Sequence, residues 1–440
     1  MLTHLSVLHK QLGRGKLLRT LRDGQLYEVE FESGLRFILP SREFEPLPVA
    51  MPDSAFETRQ TVEALRMGIT PVEHIEDLTI GLDDERTRLH NAFQRTRIHG
   101  GAALAVLADY GQGKTHFIAL AERSALSEGF LVSTLSLDQR ELPPSRAKLI
   151  YQASVEALRY PDSQERGLQP LLERARQQPH NVMAVMEESL KGEECPFAFG
   201  VRAYLESESD AERLEALRYL EHRGNLRRAP RLVSTGNAAR QYAYLFTAIS
   251  ALARAFGYSG LALLLDEVDY YSRLLIAQRE RAKQLFKALI YASQGEESTA
   301  LSDHDIPEHH KVNYPLRFSD RSAFFFLFAS TQAPEQMPVS EWLSPSVLIY
   351  PNQRFRPSDV ERFLKMVGAY HAKAYKYEAN GQAATPSLVS FLAQALSNGR
   401  IPVRFLPQIA VTFYDLLYTY PHVSAETHVR DLARALQPER

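Results

Sequence analysis

The chain has 440 residues, 45% of them hydrophobic, and 51 Lys and Arg against 53 Asp and Glu give a formal net charge of −2. That length and apolar content suffice for a full α/β core with one or two smaller units, while the balanced charge excludes a general pull towards nucleic acid, so any such binding rests on local patches. A single cysteine, Cys195, excludes an intramolecular disulfide and a cysteine-rich zinc module and fits a reducing cytoplasm. With no apolar run of about 18 residues and no secretory pattern at the start, a soluble protein without a membrane partner is expected.

Residues 1–48 read as a separate small β-barrel, because Gly15–Gly24, Gln25–Phe31 and Leu35–Leu39 alternate apolar and polar residues around turns at Asp23-Gly24 and Ser33-Gly34. They resemble the SH3/Tudor-like modules of bacterial helicases and transcription-repair factors, which implies docking to a protein or to DNA, with a folding appendage as the alternative. Pro46, Pro48 and Pro52 then make a stiff linker.

From Ala55 to Arg97 the pattern is helical, with Phe56, Val62, Leu65 and Met67 before Gly68, and Leu89, Ala92 and Phe93 after Gly81. Between the two segments lies Ile75–Gly81. The order helix, Ile80-Gly81 turn, helix, Gly-rich loop is similar to that of AAA+ and initiator-like ATPases, where the turn lines the adenine pocket; Leu82 stands where an arginine often follows.

The central motif is Ala108-Asp109-Tyr110-Gly111-Gln112-Gly113-Lys114-Thr115-His116, preceded by the apolar run Ala102–Leu107 and followed by a helix-like segment. In such a loop the backbone N–H groups wrap a phosphate, the lysine ammonium reaches the β/γ oxygens and the threonine hydroxyl completes a Mg²⁺ shell. Gly111 and Gly113 permit backbone angles and a close approach that a Cβ would block. The usual pattern opens with glycine, and here that position is Ala108, which fits if its φ stays negative. A chance glycine turn after a strand is the bland alternative.

Gly129–Asp138 reads as the next strand and Arg146–Tyr160 as a returning helix, followed by a charged, helix-prone insertion near 160–230 and an amphipathic helix from Gln241 to Phe256. Leu261–Asp266 is then a buried parallel strand tipped by acids. Its end places Asp266 beside the phosphate loop to hold a Mg²⁺-bound water, and Glu267 where it can polarise the attacking water; Asp269 reads as a helix cap. Without the loop, two adjacent acids would read as an ordinary strand end.

A helix near Ala277–Tyr291, a loop from Gln294-Gly295 and a second insertion to about Asp320 lead to another buried strand, Ser322–Gln332. Gln332 sits where AAA+ proteins carry the polar sensor 1 residue, and its amide can donate to phosphate and accept from water. Ser346–Tyr350 is the last strand. Beyond Pro357 the pattern is a helical bundle in which Asn398–Arg404 resembles a sensor 2 start, with Arg404 aimed at the γ-phosphate and Arg400 in reserve. Glu341–Pro345, just before the last strand, offers no arginine for a finger acting on a neighbouring subunit, and Arg354 and Arg356 beyond it read as solvated loop arginines or as its substitutes. Asp303-His304 with His309-His310 matches no standard metal spacing. Arg223, Arg227, Arg228 and Arg231 form the densest basic run, readable as a nucleic-acid contact or as a charged helix end.

Together, Thr61–Pro71, Leu78–Gly81, Ala108–Phe117 and Leu263–Asp269 resemble the ATP-binding protein family of bacterial BREX-type anti-phage defence islands, over roughly 55–420. The resemblance implies a cytoplasmic ATPase acting with a helicase, methyltransferase or nuclease on invading DNA; the loop and the acids call for ATP and Mg²⁺, and a homo-oligomer is left open. The expected architecture is an α/β, P-loop AAA+-like parallel sheet with helices on both faces: a barrel over 1–48, an ATPase core over 55–356 and a C-terminal helical lid over 357–440. The rival functions are a nucleotide-gated scaffold with incidental turnover and an initiator or helicase-loader-like DNA-repair ATPase.

Overall fold

A computed structural model describes residues 6–9, 12–21, 26–31, 34–40, 44–46, 54–69, 71–187, 189–190, 195–234, 238–294, 301–307, 315–351, 355–377 and 385–436. The Asp23-Gly24 turn, Ser33, Pro48, Pro52, Gly295, His309, His310 and Arg354 lie outside the described residues. Contacts divide the chain into two compact units, Met1–Gln60 with Lys373–Lys376, and Thr61–Ala372 with Tyr377–Arg440.

The first unit holds β1 (Ser6–His9), β2 (Gly13–Leu21), β3 (Leu26–Phe31), β4 (Arg36–Pro40) and β5 (Phe44–Pro46), in the antiparallel order β4-β3-β2-β1-β5. Strand alternation sends Val7, Leu17, Val29 and Phe31 into one small core. The β2 register shifts between Leu17 and Arg19, a bulge that bends the longest strand.

The second unit takes up α1 (Ser54–Arg66) from Thr61 and continues through α2 (Ile75–Leu78), α3 (Asp83–His99), β6 (Gly101–Leu107), α4 (Lys114–Ser127), β7 (Leu131–Ser136) and α5 (Ala147–Glu156). The insertion is four helices, α6 (Gln169–Gln177), α7 (Pro179–Glu187), α8 (Pro196–Glu206) and α9 (Asp210–Leu220). After them come α10 (Ala238–Ala255), β8 (Leu261–Asp266), α11 (Ile276–Ser293), β9 (Phe324–Ser330), α12 (Val339–Trp342) and β10 (Leu348–Ile349). The helical C-terminus is α13 (Pro357–Tyr375), α14 (Pro386–Ser397), α15 (Leu406–Thr419) and α16 (Ala425–Ala435).

The central sheet is parallel throughout, in the order β10-β6-β9-β8-β7. Its strands are apolar on both faces because helices cover both. Phe325 and Leu327 of β9 join Leu104, Val106 and Leu264 in the core under α3 and α4, whereas Phe324, Phe326 and Phe328 face the core built by α5, α10 and α11. Those three rings stack along the strand, with centroids 6.4 Å and then 5.2 Å apart.

Two expectations change in three dimensions. The helix read as amphipathic, α10, is buried on every side from Ala239 to Ala253, because α5, α7 and α11 surround it. The insertion, polar in composition, still contributes Leu171, Leu172, Phe197, Tyr204 and Leu220 to the same core. Cys195 is buried there and caps α8, its Sγ accepting from the Ala198 N–H at 3.3 Å.

A Cβ on Gly101, the first residue of β6, would lie 2.0 Å from the Ser293 carbonyl oxygen, a backbone atom with little freedom to yield. Gly101→Ala should therefore destabilise the folded chain by about 1–3 kcal/mol, read as a lower urea midpoint; an unchanged midpoint would show that the α11 end is not packed against β6. His222 is held down at about 4 by burial and, to a lesser degree, by Lys148, and its Nδ1 pairs with the Tyr242 hydroxyl at 2.7 Å. The unfolded chain takes up that proton near the ordinary value of about 6.5, so stability should fall as pH drops from there to about 4 and level off below. His222→Gln should flatten part of that slope in thermal midpoints; an identical slope would contradict it.

Candidate functional site

The loop from Ala108 to Gly113 joins the end of β6 to the start of α4. Gly111 and Gly113 are left-handed, with φ of 80° and 87°, and Gly113 caps α4; a side chain at either position would be strained. Ala108 does not share that conformation: it is buried, and its N–H donates to the Ser330 carbonyl at 3.2 Å. Alanine thus stands without strain where glycine is usual. Gln112 braces the turn, its amide N–H donating to Asp109 O at 3.2 Å and its Oε1 accepting from the Asp109 N–H at 3.3 Å. Tyr110 stands out at the tip, 84% exposed.

Lys114 opens α4 and is only 7% exposed. Its Nζ donates to Ala108 O at 3.0 Å and pairs with Asp269 Oδ2 at 3.2 Å. Thr115 follows with an exposed side chain on the same turn. The ammonium is thereby held at the mouth of the loop by one carbonyl and one carboxylate. Gly111, Gly113, Lys114 and Thr115 all line one cleft, and this set of helix N-terminus, cation and hydroxyl fits a triphosphate with Mg²⁺.

The acidic segment closes the polar side. Asp266 ends β8, is 4% exposed and accepts from the Glu267 N–H at 2.8 Å. Glu267 is left-handed, with φ of 57°, a conformation that a residue with a Cβ adopts at a cost. It lines the cleft, and burial first, then the charges of Asp266 and Asp269, push its carboxyl above the ordinary 4.5.

β9 lies between β6 and β8, so the acid in contact with Lys114 comes from the turn after β8: it is Asp269, read from the sequence as a helix cap. Asp269 also accepts from the Thr331 N–H and from Thr331 Oγ1 at 2.7 Å, and Gln336 Nε2 donates to Asp269 O at 3.1 Å and to Thr331 Oγ1 at 3.3 Å. The residue of β9's polar end that enters this network is Thr331. Gln332, the sequence candidate, is exposed on the following loop. The signal for Asp269 was present as a third acid two residues after Glu267; what the sequence lacked was the strand order that brings it to Lys114.

The cleft measures about 560 Å³, within the usual range for small-molecule sites. Its apolar end is made by Ile75, Leu78, Ile80, Phe363, Leu406 and Pro407, drawn from the Ile80-Gly81 turn region and the C-terminal helices. Arg404, in the turn before α15, also lines it; a Cβ on Gly111 would lie 3.9 Å from its Nη1, and its guanidinium stacks 4.9 Å over the Phe405 ring. Arg400 is exposed after α14. His116 Nε2 meets Thr79 Oγ1 at 2.7 Å, and burial, with a smaller effect of Arg86, holds the ring down at about 4.

The remaining sequence candidates lie elsewhere. Asp303 pairs with Arg240 at 2.8 Å, and among the described residues no group of three His, Cys, Asp or Glu is arranged to hold a metal. Arg223 pairs with Glu156, while Arg227, Arg228 and Arg231 are exposed. The Arg356 N–H donates to Asp359 Oδ2 at 3.2 Å. Among the described residues no helix is long and apolar enough to cross a membrane.

No curated protein matches the chain. The family model described as BREX system ATP-binding protein BrxC/D matches residues 54–194, from α1 through the phosphate loop and β7 into the insertion, and stops short of β8. Over that segment the chain is similar to the BREX system ATP-binding proteins, the family that its motifs resemble.

Proposed function

We propose that the chain hydrolyses ATP to ADP and phosphate in the cleft between the phosphate loop and the acidic turn, within a bacterial anti-phage defence system. The observation that carries this reading is Lys114, buried and held by Ala108 O and Asp269, in a cleft that also contains Glu267. The backbone of Asp109–Gly113 and the first turn of α4 receive the phosphates, and Ile80 packs against the base. Thr115 and Asp266 are the residues to hold Mg²⁺, which supplies positive charge to the phosphate oxygens. Glu267 takes a proton from water as the water oxygen bonds to the γ-phosphorus; the bond to the bridging oxygen breaks, that oxygen keeps the electron pair, and Lys114 balances the charge.

Arg404 approaches from the helical C-terminus and acts as the lid's contact to the γ-phosphate. Thr331 takes the sensing role expected of Gln332, because it links Asp269 to the loop after β9. Lys114 pairs with Asp269, and Asp269 with Thr331, so a triphosphate that binds Lys114 acts on the same network. Nucleotide state then governs the grip on DNA or on a partner effector. The N-terminal sheet, with β5 returning beside β1, is read as an SH3/Tudor-like barrel that docks this partner.

Lys114→Ala should abolish ATP binding in calorimetry, and retained affinity would remove the site. Glu267→Gln should bind ATP while phosphate release drops about 10²-fold or more; undiminished release would strip Glu267 of its role as base. Because Glu267 titrates above the ordinary carboxylate value, the acid limb of the turnover profile should lie above 4.5, with activity lost as pH falls through it. Asp269→Asn removes one of the neighbouring charges and should move that limb to lower pH; a limb that stays in place would detach it from Glu267. Phosphate release measured with and without duplex and single-stranded DNA tests the coupling, and rates indifferent to both would argue against DNA as the partner.

A further inference from the structure

The apolar end of the cleft carries one polar pair that hydrolysis leaves unused. His116 lines this end beside Ile75, Leu78 and Ile80, with its Nε2 2.7 Å from Thr79 Oγ1. Thr79 Oγ1 also lies 2.5 Å from the Ile75 carbonyl oxygen. A carbonyl oxygen only accepts, so the one hydroxyl proton of Thr79 goes there, and the threonine oxygen can offer His116 only a lone pair. His116 Nε2 must then carry the ring proton and donate it. In the neutral ring Nδ1 is left as an acceptor, and among the described residues nothing donates to it.

We propose that His116 Nδ1 reads the purine base by accepting from a 6-amino group, so that the cleft selects 6-aminopurine over 6-oxopurine nucleotides. This rests on the cleft being the nucleotide site. The aliphatic walls offer flat contact that any purine satisfies and so do not discriminate. The acceptor does: a 6-amino N–H pairs with it, a hydrogen at C6 leaves it unpaired, and a 6-oxo group sets lone pair against lone pair. Thr79 is the positioning residue, since its hydroxyl holds the ring's proton on the far nitrogen. His116 lies one residue beyond Thr115, so the first turn of α4 carries phosphate cradle and base reader at a set spacing.

The test uses the full chain with Mg²⁺ at about pH 8, where an ordinary imidazole is neutral. Calorimetry compares ATP, inosine triphosphate and purine riboside triphosphate, which carries hydrogen at C6. The unmodified protein should bind ATP about tenfold or more tightly than the other two. His116→Phe should bring the three to near parity by weakening ATP. Thr79→Val, which removes the lone pair that pins the Nε2 proton, should lower the preference, and Thr79→Ser should keep it. Equal affinities in the unmodified protein, or a preference that survives Thr79→Val or a folded His116→Phe, would overturn the assignment. If His116→Phe does not fold, the two Thr79 variants decide. By contrast, no binding of any of the three nucleotides, or unaltered binding in Lys114→Ala, would sink the nucleotide site itself and not only its base reader.

Discussion

One buried ammonium ties the polar end of the cleft together. Lys114 is held to the loop by Ala108 O and to the acidic turn by Asp269, and Asp269 is held in turn by Thr331 at the end of β9. These groups come from three distant stretches of chain, and a cation so little exposed is tolerable only while such partners surround it. The Lys114–Asp269 contact therefore joins the loop, the acidic turn and the end of β9 in one network.

The sheet explains how those stretches meet. Five parallel strands, apolar on both faces, all end at one edge, and their order interleaves β9 between the strand of the phosphate loop and the strand of the acids. The alternation of Phe324, Phe326 and Phe328 with Phe325 and Leu327 fills both cores at once, which locks β9 in register and sets Ser330 and Thr331 at the height of the loop. The left-handed Glu267 turns the chain sharply after β8. That bend is what brings Asp269, two residues on, back to Lys114.

The two ends of the cleft do different work. At one end are charge, backbone N–H groups and a carboxylate whose proton affinity is raised by its own neighbours. At the other are apolar walls and the His116 imidazole, whose Nε2 meets the Thr79 hydroxyl. The first turn of α4 belongs to both, so one rigid element sets the spacing between Lys114 and His116.

Much of this was legible before any coordinates. Gly111-Gln112-Gly113-Lys114-Thr115 after an apolar run specifies a phosphate loop because local backbone angles, a short-range property, are written in the glycines; Ala108 conformed at negative φ for the same reason. The apolar strand ending in Asp266 was readable from its residues, and the strand read over Ser322–Gln332 runs from Phe324 to Ser330. What the sequence could not determine was adjacency. The order of β6, β9 and β8 and the helices around them made Asp269 the partner of Lys114, brought Thr331 to Asp269, and buried α10 on every side, and each outcome depends on which distant segment packs beside it. The His116 tautomer lies at the same level, since it needs two oxygens of the preceding turn at known distances from one another and from the ring. Local conformation follows from neighbouring residues, whereas long-range contact follows from topology, and only the folded chain specifies topology.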